Sequence, residues 1–204
     1  MSNEFERIKR LPPYVFSEVN SLKAKLRSSG KDIIDFGMGN PDMPTPEHIR
    51  KKLQETVDKP GTGRYSSSKG IIGLRKAQSK YYKRRFNVNL DPESEIIVTL
   101  GSKEGLANLA QAITSPGDII LTPNPSYPIH PYGFIIAGAS LRHLTAMDDG
   151  IFNQELFLEK LDRSIRHSVP SPKAIIVSFP SNPTAQIVDL GFYEEVIKIG
   201  LKYN

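Results

Sequence analysis

Apolar residues at Val15, Val19, Leu22 and Leu26 recur at steps of three and four, so residues 13–29 read as an amphipathic helix closed by Gly30. A short apolar stretch at 32–36 predicts a strand, and a glycine and proline loop over 37–42 follows it. Thr45 and Pro46 predict the next helix start, with threonine as N-cap and proline at the first helical position. That helix runs to about residue 57. Residues 59–69 are polar with two glycines and read as a surface loop. Beyond them, residues 74–86 pattern as a helix with Leu74, Ala77, Tyr81, Tyr82 and Phe86 on its apolar face.

From residue 96 the order becomes regular. Strands are expected at 96–100, 118–122, 140–145 and 174–179. Helices are expected from residue 104, over 129–138 and 153–166, and from 190 to 203. Strand and helix alternating at this spacing imply right-handed crossovers and a parallel sheet, so the class is α/β. Ile96-Ile-Val98 and Ala174-Ile-Ile-Val177 are continuous apolar runs, as strands buried on both faces require. The chain shows no internal repeat and no low-complexity tract.

Composition narrows the class of function more than it names one. The 204 residues, 38% of them apolar, suffice for the core of one large or two small domains. The opening residues 1–11 scatter charge without an apolar run, which argues against a secretory signal or a membrane span there. Cytoplasm is the expected compartment. The absence of cysteine excludes a disulfide framework and thiolate metal sites, and the four histidines have no ligand spacing. The net charge of +5 and the run Lys80-Tyr-Tyr-Lys-Arg-Arg85 fit a nucleic-acid patch. They fit a solvated helix face better, because Lys76, Lys80, Lys83 and Arg84 fall outside the apolar stripe.

Four loops carry candidate chemistry. Gly101-Ser-Lys-Glu-Gly105 turns from a strand into a helix, where free amides, the Ser102 hydroxyl and Lys103 offer a place for a phosphate; taken alone it reads more readily as an ordinary helix cap. Pro123-Asn-Pro-Ser-Tyr-Pro128 presents Tyr127 at the carboxyl edge of the sheet, either to stack on a flat ring or to pack beneath a proline turn. Phe179-Pro-Ser-Asn-Pro-Thr184 puts the Asn182 amide at the same edge, with Asn182-Pro183 a candidate cis peptide. The bare backbone of 37–42 can approach a small anion closely. A phosphate cup, a stacking ring and an amide donor together point to a planar phosphorylated cofactor. His130, two positions past Pro128, lies near the second loop but is assigned no role.

These stretches resemble the fold-type I aminotransferases, which depend on pyridoxal 5'-phosphate, and within them the bacterial alanine (glutamate–pyruvate) branch. The resemblance also takes in Arg10-Leu-Pro-Pro-Tyr-Val-Phe16, Asp35-Phe-Gly-Met-Gly-Asn-Pro-Asp42 and Tyr65-Ser-Ser-Ser-Lys-Gly70, in order along the chain. It implies an incomplete three-layer α/β/α sheet of the pyridoxal-phosphate-dependent transferase type. Residues 1–45 would belong to the small domain and 46–204 to the N-terminal part of the large cofactor-binding domain. It also implies Ser102 and Lys103 at the cofactor phosphate, Tyr127 on the pyridine ring, Asn182 at the phenolic oxygen, and Tyr65 at the phosphate of the other subunit in a homodimer. Gly39 and Asn182 would receive the carboxylate of the amino acid or 2-oxo acid substrate.

The family's lysine, which bonds the cofactor covalently and moves the α-proton, falls beyond Asn204, as do its cofactor-binding aspartate and carboxylate-binding arginine. The expectation is therefore a truncated aminotransferase-like chain, inactive by itself, with no catalytic residue of its own. The family's strand order, 3-2-4-5-6-7-1, would leave the strand at 96–100 without its neighbour, so low stability is expected as well. Two rival readings are half of a split enzyme that works with a separate C-terminal piece, and a non-catalytic basic binding protein.

Overall fold

The computed structural model describes residues 5–37, 39 and 41–203. Residues 1–4 of the opening segment, Met38 and Asn40 of the 37–42 loop, and Asn204 lie outside the described residues. In chain order the elements are α1 (Glu6–Lys9), α2 (Val15–Ser28), α3 (Glu47–Val57), α4 (Ile72–Phe86), α5 (Ser102–Ile113), β1 (Ile119–Pro123), α6 (Ile129–Ala137) and β2 (Ser140–Leu144). They continue through β3 (Met147–Asp148), β4 (Ile151–Phe152), α7 (Gln154–Arg166), β5 (Ala174–Ile175) and α8 (Leu190–Lys202). The chain forms two compact units, Pro13–Val98 and the remainder, Met1–Pro12 with Thr99–Asn204.

In the larger unit, β1 lies between β2 and β5 and runs parallel to both, with Ile120 opposite Leu141 on one side and Ala174 on the other. The order β2-β1-β5 is the expected 3-2-4 arrangement. Successive β1 residues point to opposite faces, so one strand serves two cores. Ile119 and Leu121 pack with Leu144, Phe157, Leu161, Phe192 and Val196 beneath α7 and α8. Ile120 packs with Ala110, Phe134, Ala137 and Ala139 beneath α5 and α6. Helices on both faces of a parallel sheet make three layers, which explains why β1 is buried without a break from Ile119 to Thr122.

Caps fix the two helices over the first core. The Asn153 side chain accepts a hydrogen bond from the Leu156 amide at 2.9 Å, and Asp189 accepts from the Phe192 amide at the same distance. Between β2 and α7 a small hairpin, β3 paired antiparallel with β4, was not foreseen. Asp149 and Gly150 take positive φ at its tip, which is the conformation of a type I′ turn.

In the smaller unit, α2 and α4 form close to expectation, but Pro46 rather than Thr45 stands at the N-cap of α3. The strand expected at 32–36 is absent. Asp35 instead accepts a hydrogen bond from Lys23 at 2.7 Å and one from the Gly37 amide at 2.9 Å. Lys23 first, then the Gly37 amide, hold its carboxyl below the usual carboxylate range. The expected strand at 96–100 is absent too: among the described residues its one main-chain to main-chain hydrogen bond runs from the Val98 amide to the Lys69 carbonyl. An extended segment becomes a strand only where a second one pairs with it, and none does here.

The apolar face expected on α4 is largely exposed at Leu74, Tyr81, Tyr82 and Phe86. The buried residue is Arg75, which donates to the carbonyls of Gly70 and Pro92 and to the Glu93 carboxylate. Three acceptors satisfy a guanidinium that would otherwise be costly to bury.

Candidate functional site

The site lies at the carboxyl ends of β1 and β5, which are adjacent strands. The loop after β1 and the loop after β5 therefore face one another, and together with His130, Leu144, Met147 and Phe152 they line one cleft. Tyr127 and Asn182 both belong to that lining, so the structure brings together two of the residues singled out in the sequence. The third loop joins them through Lys103, whose ammonium lies 5.4 Å from the centre of the Tyr127 ring.

Local structure explains each position. Gly101 is the N-cap of α5 with φ +96°, a conformation that favours glycine and turns the chain sharply from 96–100 into the helix. Ser102 is the first helical residue rather than the cap, so its hydroxyl does not close the helix. Glu104 accepts from the Leu100 amide instead, which leaves Ser102 and Lys103 exposed at the positive end of the helix dipole. Asn182 is exposed, and its carboxamide makes no hydrogen bond among the described residues. The Asn182–Pro183 peptide is cis, as are Asn124–Pro125 and Phe179–Pro180 in the same two loops.

Tyr65 and Gly39 belong to the other compact unit. Tyr65 is fully exposed beside Gly63 and Arg64, and Gly39 is exposed with no atom within 4 Å of a Cβ built on it. The basic run on α4 turns part of its charge inward on its own aromatics, with Arg84 5.7 Å from the Tyr81 ring centre and Arg85 5.2 Å from that of Phe86. No group of three metal-binding side chains occurs among the described residues. No helix among them is long and apolar enough to cross a membrane.

His130 and Phe152 are among the lining residues that the sequence did not assign. The His130 ring meets Tyr127 nearly edge-on, with centroids 5.8 Å apart and planes at 77°. Burial holds its imidazole below the ordinary value, favouring the neutral form. The spacing from Tyr127 to His130 is one helical turn, and that was the available signal. Phe152 reaches the cleft through the unforeseen hairpin.

An open helix N-terminus with a lysine, an aromatic ring and an unbonded amide lie at the carboxyl edge of a three-layer α/β/α sheet, a donor set whose chemistry suits a flat anionic ligand. The chain belongs to the aminotransferase class I and II family, whose model matches residues 31–204. That family depends on pyridoxal phosphate. Among relatives, a putative aminotransferase AatC of Rhizobium meliloti is 56% identical over 201 residues, covering 98% of this chain and 48% of the relative. The glutamate-pyruvate aminotransferase AlaC of Escherichia coli is 52% identical over 200 residues, covering 98% and 47%. A Thermus thermophilus aspartate aminotransferase superposes with a TM-score of 0.86 at 27% identity, over all of this chain and 51% of that one. The substrate-bound BacF structure from Bacillus subtilis gives 0.82 at 30%, over all of this chain and 50% of that one. The chain thus spans about half the length of the curated relatives it matches.

Proposed function

We propose that this chain supplies the non-covalent half of a pyridoxal-phosphate site in an aminotransferase acting on alanine and glutamate with their 2-oxo acids. The observation that carries the reading is the convergence of Tyr127 and Asn182 on one cleft, with the Lys103 ammonium 5.4 Å from the Tyr127 ring centre. The donor set fits the cofactor: Lys103, Ser102 and the first amides of α5 suit a dianionic phosphate, Tyr127 suits the pyridine face, and the Asn182 amide suits a phenolate oxygen. When bound, the cofactor supplies an electron sink for the bond-breaking step at the amino acid α-carbon. The residues present bind and orient it; Tyr127 and the proline-stiffened loops also exclude water from one face.

Substrate class follows from the glutamate-pyruvate relative, with Gly39 and Asn182 receiving the substrate carboxylate. Tyr65, exposed on its loop, serves the phosphate of a second subunit in a homodimer. Residues 1–45 contribute to the family's small domain and 46–204 to its large one, and the setting is cytoplasmic. In this reading the 204 residues hold the cofactor without turnover, Lys103 being assigned to the phosphate and not to a covalent bond.

Titration of the chain with pyridoxal phosphate tests this. The expected result is saturable binding, weakened in Tyr127→Ala and Asn182→Ala, with no borohydride-fixed adduct at a single lysine and no alanine to pyruvate conversion. A defined internal adduct accompanied by turnover would overturn it.

A further inference from the structure

We infer that His130 is a positioning residue: its imidazole, set edge-on against Tyr127, fixes the angle at which that ring meets a flat ligand. The inference rests on the cofactor reading above. Tyr127 sits in a loop, and its hydroxyl makes no hydrogen bond among the described residues, so no polar contact orients the ring. Two contacts do, one from Lys103 and one from His130.

Those two contacts are not equivalent. Lys103 is a long, flexible side chain whose ammonium has a stronger partner once a phosphate arrives at the start of α5, so it cannot hold the ring in the loaded site. His130 has two side-chain torsions and stands in the first turn of α6, a helix anchored in the core by Phe134 and Ala137. Its backbone amide also donates to the Tyr127 carbonyl at 2.9 Å, so main chain and ring bind the same pair. The ring nitrogens make no hydrogen bond among the described residues, and both rings face the same cleft. An edge-to-face pair at this separation is an attractive geometry, and it leaves a Tyr127 face available for stacking.

The test has one arm without cofactor and one with it. In the chain alone, the Tyr127 ring-proton resonances, assigned with Tyr127→Phe, are expected to shift toward their unstructured positions in His130→Ala and to stay displaced in His130→Phe. Unmoved resonances in His130→Ala would overturn the proposal. In the second arm, His130→Ala is expected to weaken pyridoxal phosphate binding about threefold to tenfold, while His130→Phe restores it to within about twofold, as an edge contact between rings implies. If His130→Phe binds as weakly as His130→Ala while both melt like the parent chain, the nitrogens matter and the ring edge does not, which also overturns it. If the parent chain binds no pyridoxal phosphate, or Tyr127→Ala binds as well as the parent, the cofactor reading fails, and the ring resonances still decide whether His130 orients Tyr127.

Discussion

Val98 occupies the volume that a side chain on Gly70 would need: a Cβ built on the glycine would stand 2.3 Å from Val98 Cγ2. Gly70 also has φ +83°, where residues with a side chain are strained. The Gly70 carbonyl accepts from Arg75, and the neighbouring Lys69 carbonyl accepts from the Val98 amide, so this one turn holds α4 and the segment at 96–98. Gly70→Ala should therefore cost at least about 1–3 kcal/mol from overpacking alone. Urea denaturation checks it, and a loss of less than about 0.5 kcal/mol, the range of ordinary surface changes, would contradict the packing described.

Phe157 is fully buried, with the rings of Phe152 and Phe192 each 5.5 Å away between their centroids. Truncation to alanine leaves a cavity that neighbouring rings cannot collapse into without breaking their own contacts. Phe157→Ala should destabilise by about 3–5 kcal/mol, a large share of what a domain has. The loss should appear as a lowered denaturation midpoint with an unchanged far-ultraviolet spectrum below it.

The caps of α7 and α8 should behave alike. Asn153→Ala and Asp189→Ala each remove one side-chain acceptor from an amide at 2.9 Å, and each should cost about 1 kcal/mol. Glycine at the same positions should cost only a few tenths, because the extended backbone is kept and water reaches the amide. Paired melting curves of the alanine and glycine variants separate a lost cap from a lost packing contact.

Stability should also fall as the solution is acidified through the histidine range. Burial holds the folded His130 below its ordinary value of 6.5, so the unfolded chain takes up the proton first. The contribution of the neutral ring is complete above the unfolded value, declines as pH falls through it, and levels off below the folded value. Comparing urea midpoints of the parent chain and His130→Phe across this range should show a flatter profile for the variant. Equal slopes would assign the acid sensitivity to other groups.

Much of this architecture was legible because it is local or periodic. The apolar run at 174–177 announces a strand, of which β5 forms at Ala174–Ile175, and the pattern over 153–166 announces α7. The convergence of Tyr127 and Asn182 followed from topology, since each ends a strand of the same parallel sheet. What pattern could not supply was pairing. The segments at 32–36 and 96–100 have strand composition but no second strand, and a ladder is a property of two segments. The hairpin of β3 and β4 escaped notice because only two residues flank its turn on either side, although Asp149-Gly150 is its usual signature. Arg75 escaped for a different reason: a cation in a basic helix reads as solvated, and its three acceptors come from the turn just before the helix and from the loop at Pro92 and Glu93.

The lone backbone tie at Val98 has a practical corollary. Residues 96–99 have no regular secondary structure and Leu100 stands at a bend, Ile97 and Leu100 are well exposed, and four of the five amides in the stretch have no main-chain acceptor. Accessible backbone outside helices and sheets is what a protease cleft grips. Limited digestion should nick the polypeptide there before it attacks β1, and chymotryptic cutting after Leu100 would leave Gly101 as the new amino terminus of the piece that carries α5, the cleft and the sheet.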